Sequence, residues 1–567
     1  MMNLSRLSCL GEALRDAMIP FKSNVALIEA NRDREEGRWS YRDLTVEAER
    51  LGALLQDDGF DAGDRCAILM ANQSKWIFSG LGALWAGATL VPLDYKLKND
   101  EQLALLAHAK PRVLITEWPI WRKLKDDPQK VLANVRVLVT EAPDDADLGA
   151  AQRWETSPSA SFTLVQRARE DVACIVYSSG TGGTPKGCQL THANYLCQAE
   201  QLARLFPMEE ADRYFSILPT NHAIDFMCGF LVPLLMGGAI VHQRTLRPQF
   251  LRSTMKRYRI THMAVVPMIL KAFERAIREK LDELEGWKRS VWDGLVSLNT
   301  LATQRKPNQP LSRLVLRQVH DSFGGRLRYI FCGGAFTDRS TAEFFYELGL
   351  PVVIGYGLTE AGTVLTLNDL KPFRGDTVGK PIDGVDLELR DVNDENIGEV
   401  WVRSDTIMQG YLDEPELTDE TIVDGWLKTG DLGSVDASGH LKLVGRANNM
   451  IVTEGGKNIY PEDIESAFDA LDGSEEHCVF AANYVWPTGK LTDEALMIVL
   501  RPTNGDLDSV VGQIRDLNRN LVDFKRLSSY VVWTEEFPRT ASMKVKRQVL
   551  ATQLAEQLSR EDALMGL

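Results

Sequence analysis

The sequence predicts an α/β protein: a large N-terminal domain of doubly wound mixed sheets, a small antiparallel barrel-like sheet, and then a small α+β C-terminal domain. Three observations carry this expectation. Short apolar strands alternate with helical spacing as far as residue ~375, the signature of a largely parallel sheet covered on both faces. Beyond it, short strands separated by Gly and Asp turns take over, as in a small antiparallel sheet or barrel. The chain has 567 residues, too many for one hydrophobic core, so two or more packed units are expected.

In chain order, residues 41–56 place Leu44, Ala48, Leu51 and Leu55 at helical spacing. Residues 65–70 read as a strand, 81–86 as a helix, and 89–92 and 112–116 as strands. The rhythm continues with strands at 173–177, 239–242, 263–266, 327–332 and 352–354. A charged insertion spans 268–325. Its Leu270, Phe273, Ile277, Leu281 and Leu284 fall on one helical face with Lys, Arg and Glu on the other, which predicts an amphipathic helix packed on the core. Strands at 385–390, 397–402 and 440–444 build the small sheet, and 509–521 is helical. The boundary is expected at Gly445-Arg446, giving domains 1–445 and 446–567. No internal repeat or low-complexity tract interrupts the chain.

Composition narrows the function. Hydrophobic residues make up 44% and charged residues 25%, as in globular proteins. Lys and Arg total 64 against 79 Asp and Glu, a net charge of −15. That balance argues against broad charge-driven binding to nucleic acid or anionic lipid while leaving room for a local basic groove for a phosphorylated ligand; peripheral membrane contact stays open. Eight scattered cysteines without a CxxC pair read as reduced thiols of a cytoplasmic protein. The first residues lack the apolar core of a signal peptide. Two apolar stretches, 76–93 and 223–241, are broken by Gly, Pro or Asp, so a buried helix followed by a core strand is expected rather than a transmembrane span.

The strongest chemical signal is residues 174–187, CIVYSSGTGGTPKG. A buried strand runs into Ser178, Ser179, Gly180, Thr181, Gly182, Gly183 and Thr184, and Lys186 closes the loop. Small residues admit an anion to backbone N–H groups, hydroxyls add donors, and the lysine supplies charge. This is a phosphate cradle. The chain contains no GxxxxGK[ST], so a P-loop ATPase is disfavoured.

The loop resembles that of the adenylate-forming superfamily, which includes acyl-CoA synthetases, with Gly182 where the family usually has threonine. Further segments follow in the family's order. Pro219-Thr-Asn-His222 is similar to a PxxH segment near the acyl site. Gly333-Gly334-Ala335 resembles the segment along the adenine, and Gly355-Tyr356-Gly357-Leu358-Thr359-Glu360 the YGxTE motif. The resemblance implies that Tyr356 stacks on adenine, Thr359 binds the α-phosphate, and Glu360 holds Mg²⁺ together with Thr181. It further implies that Asp431 (in TGD) and Arg446 (in GR) take the ribose. The loop containing Gly456 and Lys457 opens a mobile C-terminal domain, and Lys544 is catalytic alongside Thr359, Glu360 and His222. Asn448 stands at the hinge in place of Lys or Asp, and Met543 replaces the glycine before Lys544; Asn tolerates left-handed backbone readily.

The implied activity is ATP-dependent conversion of a carboxylic acid to acyl-AMP with release of pyrophosphate, then thioester formation with coenzyme A. The apolar 223–241 and 263–266 segments and the long insertion point to a medium- to long-chain fatty acid. Ala223 stands where amino-acid-activating relatives carry an aspartate, while Asp225 is a candidate for a polar contact with substrate. Two alternatives stay open: transfer to the phosphopantetheine of an acyl-carrier protein, and a nucleotide-binding pseudoenzyme. No GxSxG or HExxH is present.

Overall fold

A computed structural model describes residues 4–567 except 58, 128, 157–160, 179–184, 304–305, 453–457, 470, 488–494, 504–506 and 541–543. The chain divides into two compact units. The first comprises residues 1–178, 185–386 and 403–427, and the second 179–184, 387–402 and 428–567.

The first unit contains two mixed sheets. The nine-stranded sheet runs Lys380–Pro381, Thr366–Leu367, Val352–Tyr356, Tyr329–Cys332, His262–Val265, Arg213–Ser216, Ala239–Gln243, Val25–Asn31 and Arg34–Ser40. The eight-stranded sheet runs Gly410–Tyr411, Lys186–Thr191, Val172–Ser178, Thr89–Pro92, Arg65–Leu69, Val113–Glu117, Arg136–Thr140 and Gln152–Arg153. Both have parallel centres and antiparallel pairs toward an edge. Parallel strands are buried on both faces and need helical crossovers. The alternation in sequence reflects that requirement.

Helix Tyr41–Asp57 buries Leu44, Ala48, Leu51 and Leu55, the face its spacing predicts. Helix Ser74–Trp85 is buried nearly all round, which explains the apolar stretch at 76–93. The 223–241 stretch forms a helical turn, a π-helical segment Phe226–Leu231 and a short helix Val232–Met236 before the core strand Ala239–Gln243. Among the described residues, no helix is long and apolar enough to cross a membrane. All eight cysteines are free thiols.

The insertion consists of helices Pro267–Asp282, Gly286–Thr303, Gln309–Val315 and Arg317–Ser322. Leu270 is buried, and Phe273, Ile277, Leu281 and Leu284 pack against the core of the nine-stranded sheet, as the spacing predicts.

Most of strands Gly398–Ser404 and Trp426–Val435 lies in the second unit, and Leu441–Arg446 pairs with the latter in antiparallel register. A four-stranded sheet follows in the order Ser474–Ala481, Leu496–Pro502, Ser529–Val532, Met565–Gly566. Helices Pro461–Ala467, Leu507–Arg519 and Arg547–Gln557 accompany it and contribute Ile464, Ile514 and Leu550 to its cores.

Candidate active site

Strand Val172–Ser178 returns antiparallel as Lys186–Thr191, with Ser178 directly opposite Lys186. The two ends of the predicted phosphate loop are therefore fixed by a β ladder. Ser179, Gly180, Thr181, Gly182, Gly183 and Thr184 lie outside the described residues.

Strand Val352–Tyr356 lies beside Tyr329–Cys332 in parallel register, Cys332 opposite Ile354. Parallel strands deliver their carboxyl ends to one edge, so Gly333-Gly334 and Gly355-Tyr356 emerge together. The approach is tight: a Cβ on Gly333 would stand 3.0 Å from the Gly355 carbonyl oxygen. Gly334 has a positive φ of 84°, which favours glycine. Ile224 Cδ1 lies 3.7 and 3.8 Å from the Cβ positions of Gly333 and Gly334. Tyr356 is buried, while Ala335 is exposed. Gly357 is required sterically, because a Cβ there would fall 1.8 Å from the Thr363 carbonyl oxygen.

Glu360 sits on the turn Thr359–Ala361 that follows. Ser178 Oγ donates to its Oε1 at 3.2 Å and Tyr411 O–H donates to the same oxygen at 3.1 Å. Lys186 Nζ lies 5.4 Å from the Tyr411 ring centroid, within cation–π range. Burial, and then the neighbouring Glu360 charge, push the Tyr411 phenol well above its ordinary range, so it stays an O–H donor. The same two causes raise the Cys188 thiol. It lies two residues from Lys186 on the same strand, and as a buried thiol it is inert as a nucleophile.

His222 begins a helical turn: its N–H donates to Pro219 O at 3.0 Å and its carbonyl accepts from Phe226 N at 2.9 Å. Thr363 Oγ1 donates to Ala223 O at 3.2 Å. The 222–224 segment is thereby tied to the Glu360 turn on one side and to the glycine pair on the other.

Asp225 departs from the expectation that it meets substrate. It is fully buried and accepts from Ser216 Oγ at 2.7 Å, Thr220 Oγ1 at 2.9 Å and Tyr214 O–H at 3.4 Å. Burial raises its carboxyl to about 7, with the three hydroxyls pulling the other way. Helical spacing carries its side chain under the turn rather than into the cleft.

The site also contains an organiser that the motifs do not reveal. Helix His192–Leu205 starts with a capping box in which Thr191 Oγ1 accepts from Asn194 N–H and Asn194 Oδ1 from Thr191 N–H. One amide row on this helix grips three loops. Asn194 Nδ2 donates to Asp405 O at 2.7 Å and Ile407 O at 2.9 Å. Gln198 Oε1 accepts from Val364 N–H at 2.8 Å, and Gln201 Nε2 donates to Asp383 O at 2.6 Å. Met408 N–H in turn donates to the Glu360 carbonyl at 2.8 Å. The spacing Asn194, Gln198, Gln201 is the one signal that could have exposed this row from sequence; Tyr411 left none.

In the second unit, Asp431 and Arg446 face each other across a strand pair, with Arg446 Nε 2.8 Å from Asp431 Oδ1. Asp431 N–H donates to Thr429 Oγ1 at 3.1 Å. Lys544 is exposed and tied to Thr540: its N–H donates to Thr540 Oγ1 at 3.1 Å and its carbonyl accepts from Thr540 N–H at 2.7 Å. Flanking arginines are anchored as well: Arg539 Nε donates to Glu476 at 3.0 Å and Arg547 Nη2 reaches both Glu465 oxygens at 2.6 Å. Gly456, Lys457 and Met543 lie outside the described residues.

Mixed sheets that bring Ser178, Lys186, a close-packed glycine pair and the Glu360 carboxylate toward their carboxyl edges have the architecture of nucleotide-using α/β enzymes. A family model described as AMP-binding enzyme matches residues 19–412, and the chain belongs to that adenylate-forming family. Long-chain-fatty-acid–CoA ligase 2 of Schizosaccharomyces pombe is 26% identical over 574 residues, spanning 90% of this chain and 83% of that one. Long-chain-fatty-acid–CoA ligase FadD15 of Mycobacterium bovis is 28% identical over 435 residues, spanning 73% and 70%. Among solved structures, the anthranilate CoA ligase AuaEII in complex with anthranoyl-AMP superimposes with a TM-score of 0.77 at 24% identity, covering 98% of this chain and all of that one. The o-succinylbenzoate CoA synthetase of Bacillus subtilis gives 0.76 at 21% identity, covering 98% and 99%. At these identities the structural likeness is one of fold.

Proposed function

We propose that the protein is an AMP-forming acid–thiol ligase that activates a medium- to long-chain fatty acid with ATP and transfers the acyl group to coenzyme A. The observation that carries this reading is the grouping of Ser178, Glu360, Tyr411 and Lys186 at the mouth of the phosphate loop.

A carboxylate is a poor acyl donor because its leaving group would be oxide. Attack of the acid's oxygen on the α-phosphorus of ATP forms a P–O bond, breaks the bond to the β-phosphate and expels pyrophosphate. The thiolate of coenzyme A then displaces AMP. The protein's work is alignment and electrostatics. Lys186 offers positive charge to the polyphosphate, and Tyr356 offers a ring face to the purine. Glu360 supplies one hard oxygen donor, and Ser178 and Tyr411 orient it. Mg²⁺ in phosphate-transfer sites is held by one or two carboxylates together with substrate phosphates, so the donor set fits that ion. When bound, it supplies charge neutralisation on the phosphates. The roles given by resemblance to Thr359, His222, Asp431, Arg446, Gly456, Lys457 and Lys544 belong to the same proposal, as does a mobile C-terminal domain with its hinge near Asn448.

The turn beside the glycine pair supports an acid that carries no amine. Ala223 and Ile224 are half-buried beside Gly333-Gly334, and Asp225 is turned inward onto hydroxyls. No carboxylate of this turn is left to anchor an amine. The names of the relatives, long-chain-fatty-acid–CoA ligases, support the same class.

The test is pyrophosphate release with Mg·ATP across fatty acids of graded length, benzoate and anthranilate, each with and without coenzyme A. Release with fatty acids, and acyl-CoA by mass spectrometry when the thiol is present, is expected. Preference for the aryl acids would overturn the substrate class but not the chemistry. Acyl transfer only to a carrier protein would overturn the acceptor. Acyl-AMP from no acid would overturn the whole reading.

A further inference from the structure

Asn72 stands between strand Arg65–Leu69 of the eight-stranded sheet and helix Ser74–Trp85. Its described side-chain bonds nevertheless run to the end of strand Arg213–Ser216 in the nine-stranded sheet and to the segment after it. Nδ2 donates to Leu218 O at 2.7 Å and to Ser216 Oγ at 3.0 Å, and Oδ1 accepts from Thr220 N–H at 2.9 Å. A carboxamide presents donors and an acceptor in one plane, so one side chain pairs with the carbonyl of residue 218 and the N–H of residue 220. Pro219 between them has no N–H to offer. Both strands end here at their carboxyl ends, the edge at which α/β sheets bind ligands.

These bonds bear on the turn that carries His222, Ala223 and Ile224. Ser216 Oγ and Thr220 Oγ1, each bonded through its own residue to Asn72, donate onward to Asp225 Oδ2 at 2.7 and 2.9 Å. Asn72 thus ties the start of the turn and Asp225 its end, and Ser216 serves both. Between the two ties, Ile224 Cδ1 lies 3.7 and 3.8 Å from the Cβ positions of Gly333 and Gly334. Asn72 is itself moored to both sheets through its neighbours. Gln73 Nε2 donates to Glu117 Oε2 at 2.8 Å, and Ser74 N–H donates to Glu29 Oε2 at 2.5 Å. Glu117 ends a strand of the eight-stranded sheet and Glu29 lies in one of the nine-stranded sheet. Arg244 stands between them, 3.2 Å from Glu29 and 3.8 Å from Glu117.

We infer that Asn72 is a positioning residue for the acid: its carboxamide, reaching over from the eight-stranded sheet, holds the 218–225 turn against Gly333-Gly334. The inference rests on the acid-activating reading above and applies to the acid whatever its class.

ATP–pyrophosphate exchange, measured against acid at saturating ATP and against ATP at saturating acid, tests the role. Asn72→Leu removes donors and acceptor together, so the half-saturating acid concentration should rise by about tenfold or more, while that for ATP stays unchanged. Thr116→Val is the control. It deletes the 2.7 Å bond from the buried Thr116 hydroxyl to Leu69 O, at the end of the strand that leads to Asn72. It should lower the melting temperature without moving the acid dependence. A merely structural Asn72 would behave as Thr116→Val does, with both half-saturating concentrations in place. If Asn72→Leu does not fold, the near-isosteric Asn72→Asp, which keeps the acceptor for Thr220 N–H and loses the donors, carries the same test. An unchanged acid dependence, or an equal rise for ATP and acid, would overturn the inference. No exchange with any acid by the unsubstituted chain would instead overturn the acid-activating reading on which it rests.

Discussion

The Glu360 carboxylate receives both of its described donors on one oxygen, from Ser178 and from Tyr411. Two neutral hydroxyls orient a carboxylate without cancelling its charge, which suits the electrostatic role proposed for it. Glu360→Gln keeps an oxygen for both donors and removes only the charge. Charge-assisted contacts are worth roughly 1.5–3 kcal/mol, so ATP–pyrophosphate exchange should fall by about tenfold or more while the melting temperature holds. Unchanged exchange would make Glu360 a structural residue. Asp225 makes a contrasting prediction. Its folded-state value of about 7 lies above the ordinary 3.8, so the folded chain holds a proton that the unfolded chain has lost. That contribution to stability is complete below about 4 and declines as pH rises to about 7. Melting temperatures measured from pH 4 to 8 should show this fall, and Asp225→Asn should flatten it.

At the scale of elements, helix His192–Leu205 links the phosphate-loop strand to the Glu360 turn. It follows strand Lys186–Thr191 without a gap, and its amides hold the loops at 364, 383 and 405–407. Gln198→Leu leaves the Val364 N–H without its acceptor, at a cost of about 1–3 kcal/mol. A lower melting temperature is expected, with a loss of exchange activity that Gln198→Glu, which restores an acceptor, partly recovers. Gly357→Ala is expected to be harsher, since its new methyl would overlap the Thr363 carbonyl. Its exchange activity should be lost even at temperatures where the chain stays folded by circular dichroism.

For the molecule as a whole, the informative division is between two compact units with separate cores. The phosphate-loop strands and Glu360 lie in the first; Asp431, Arg446 and Lys544 lie in the second. If Lys544 acts only in adenylation, Lys544→Ala should cripple acyl-AMP formation and largely spare thioester formation from supplied acyl-AMP. Equal loss of both half-reactions, measured separately by pyrophosphate release and by acyl-CoA yield, would remove that role. The exposure of Lys544, with its backbone fixed by Thr540, is what a side chain that must reach a substrate requires.

The sequence by itself determined the alternation of strands and helices, the amphipathic insertion and the family. These depend on local period and on short motifs whose glycines and hydroxyls must be contiguous to cradle a phosphate. Glycines 333, 355 and 357 were legible for the same reason, although the clash that makes Gly357 obligatory involves Thr363. What only tertiary structure decided is which distant side chains meet. Tyr411 reaches Glu360 because two antiparallel strands of the eight-stranded sheet bring it back. Asp225 turns onto Tyr214, Ser216 and Thr220 because strand Arg213–Ser216 supplies two of the hydroxyls and the segment after it the third. Asn72 meets Leu218 and Thr220 because the two sheets end side by side, and nothing in its local sequence foretells that pairing. Pattern fixes what a segment can bury, and packing against the rest of the chain fixes which side is buried.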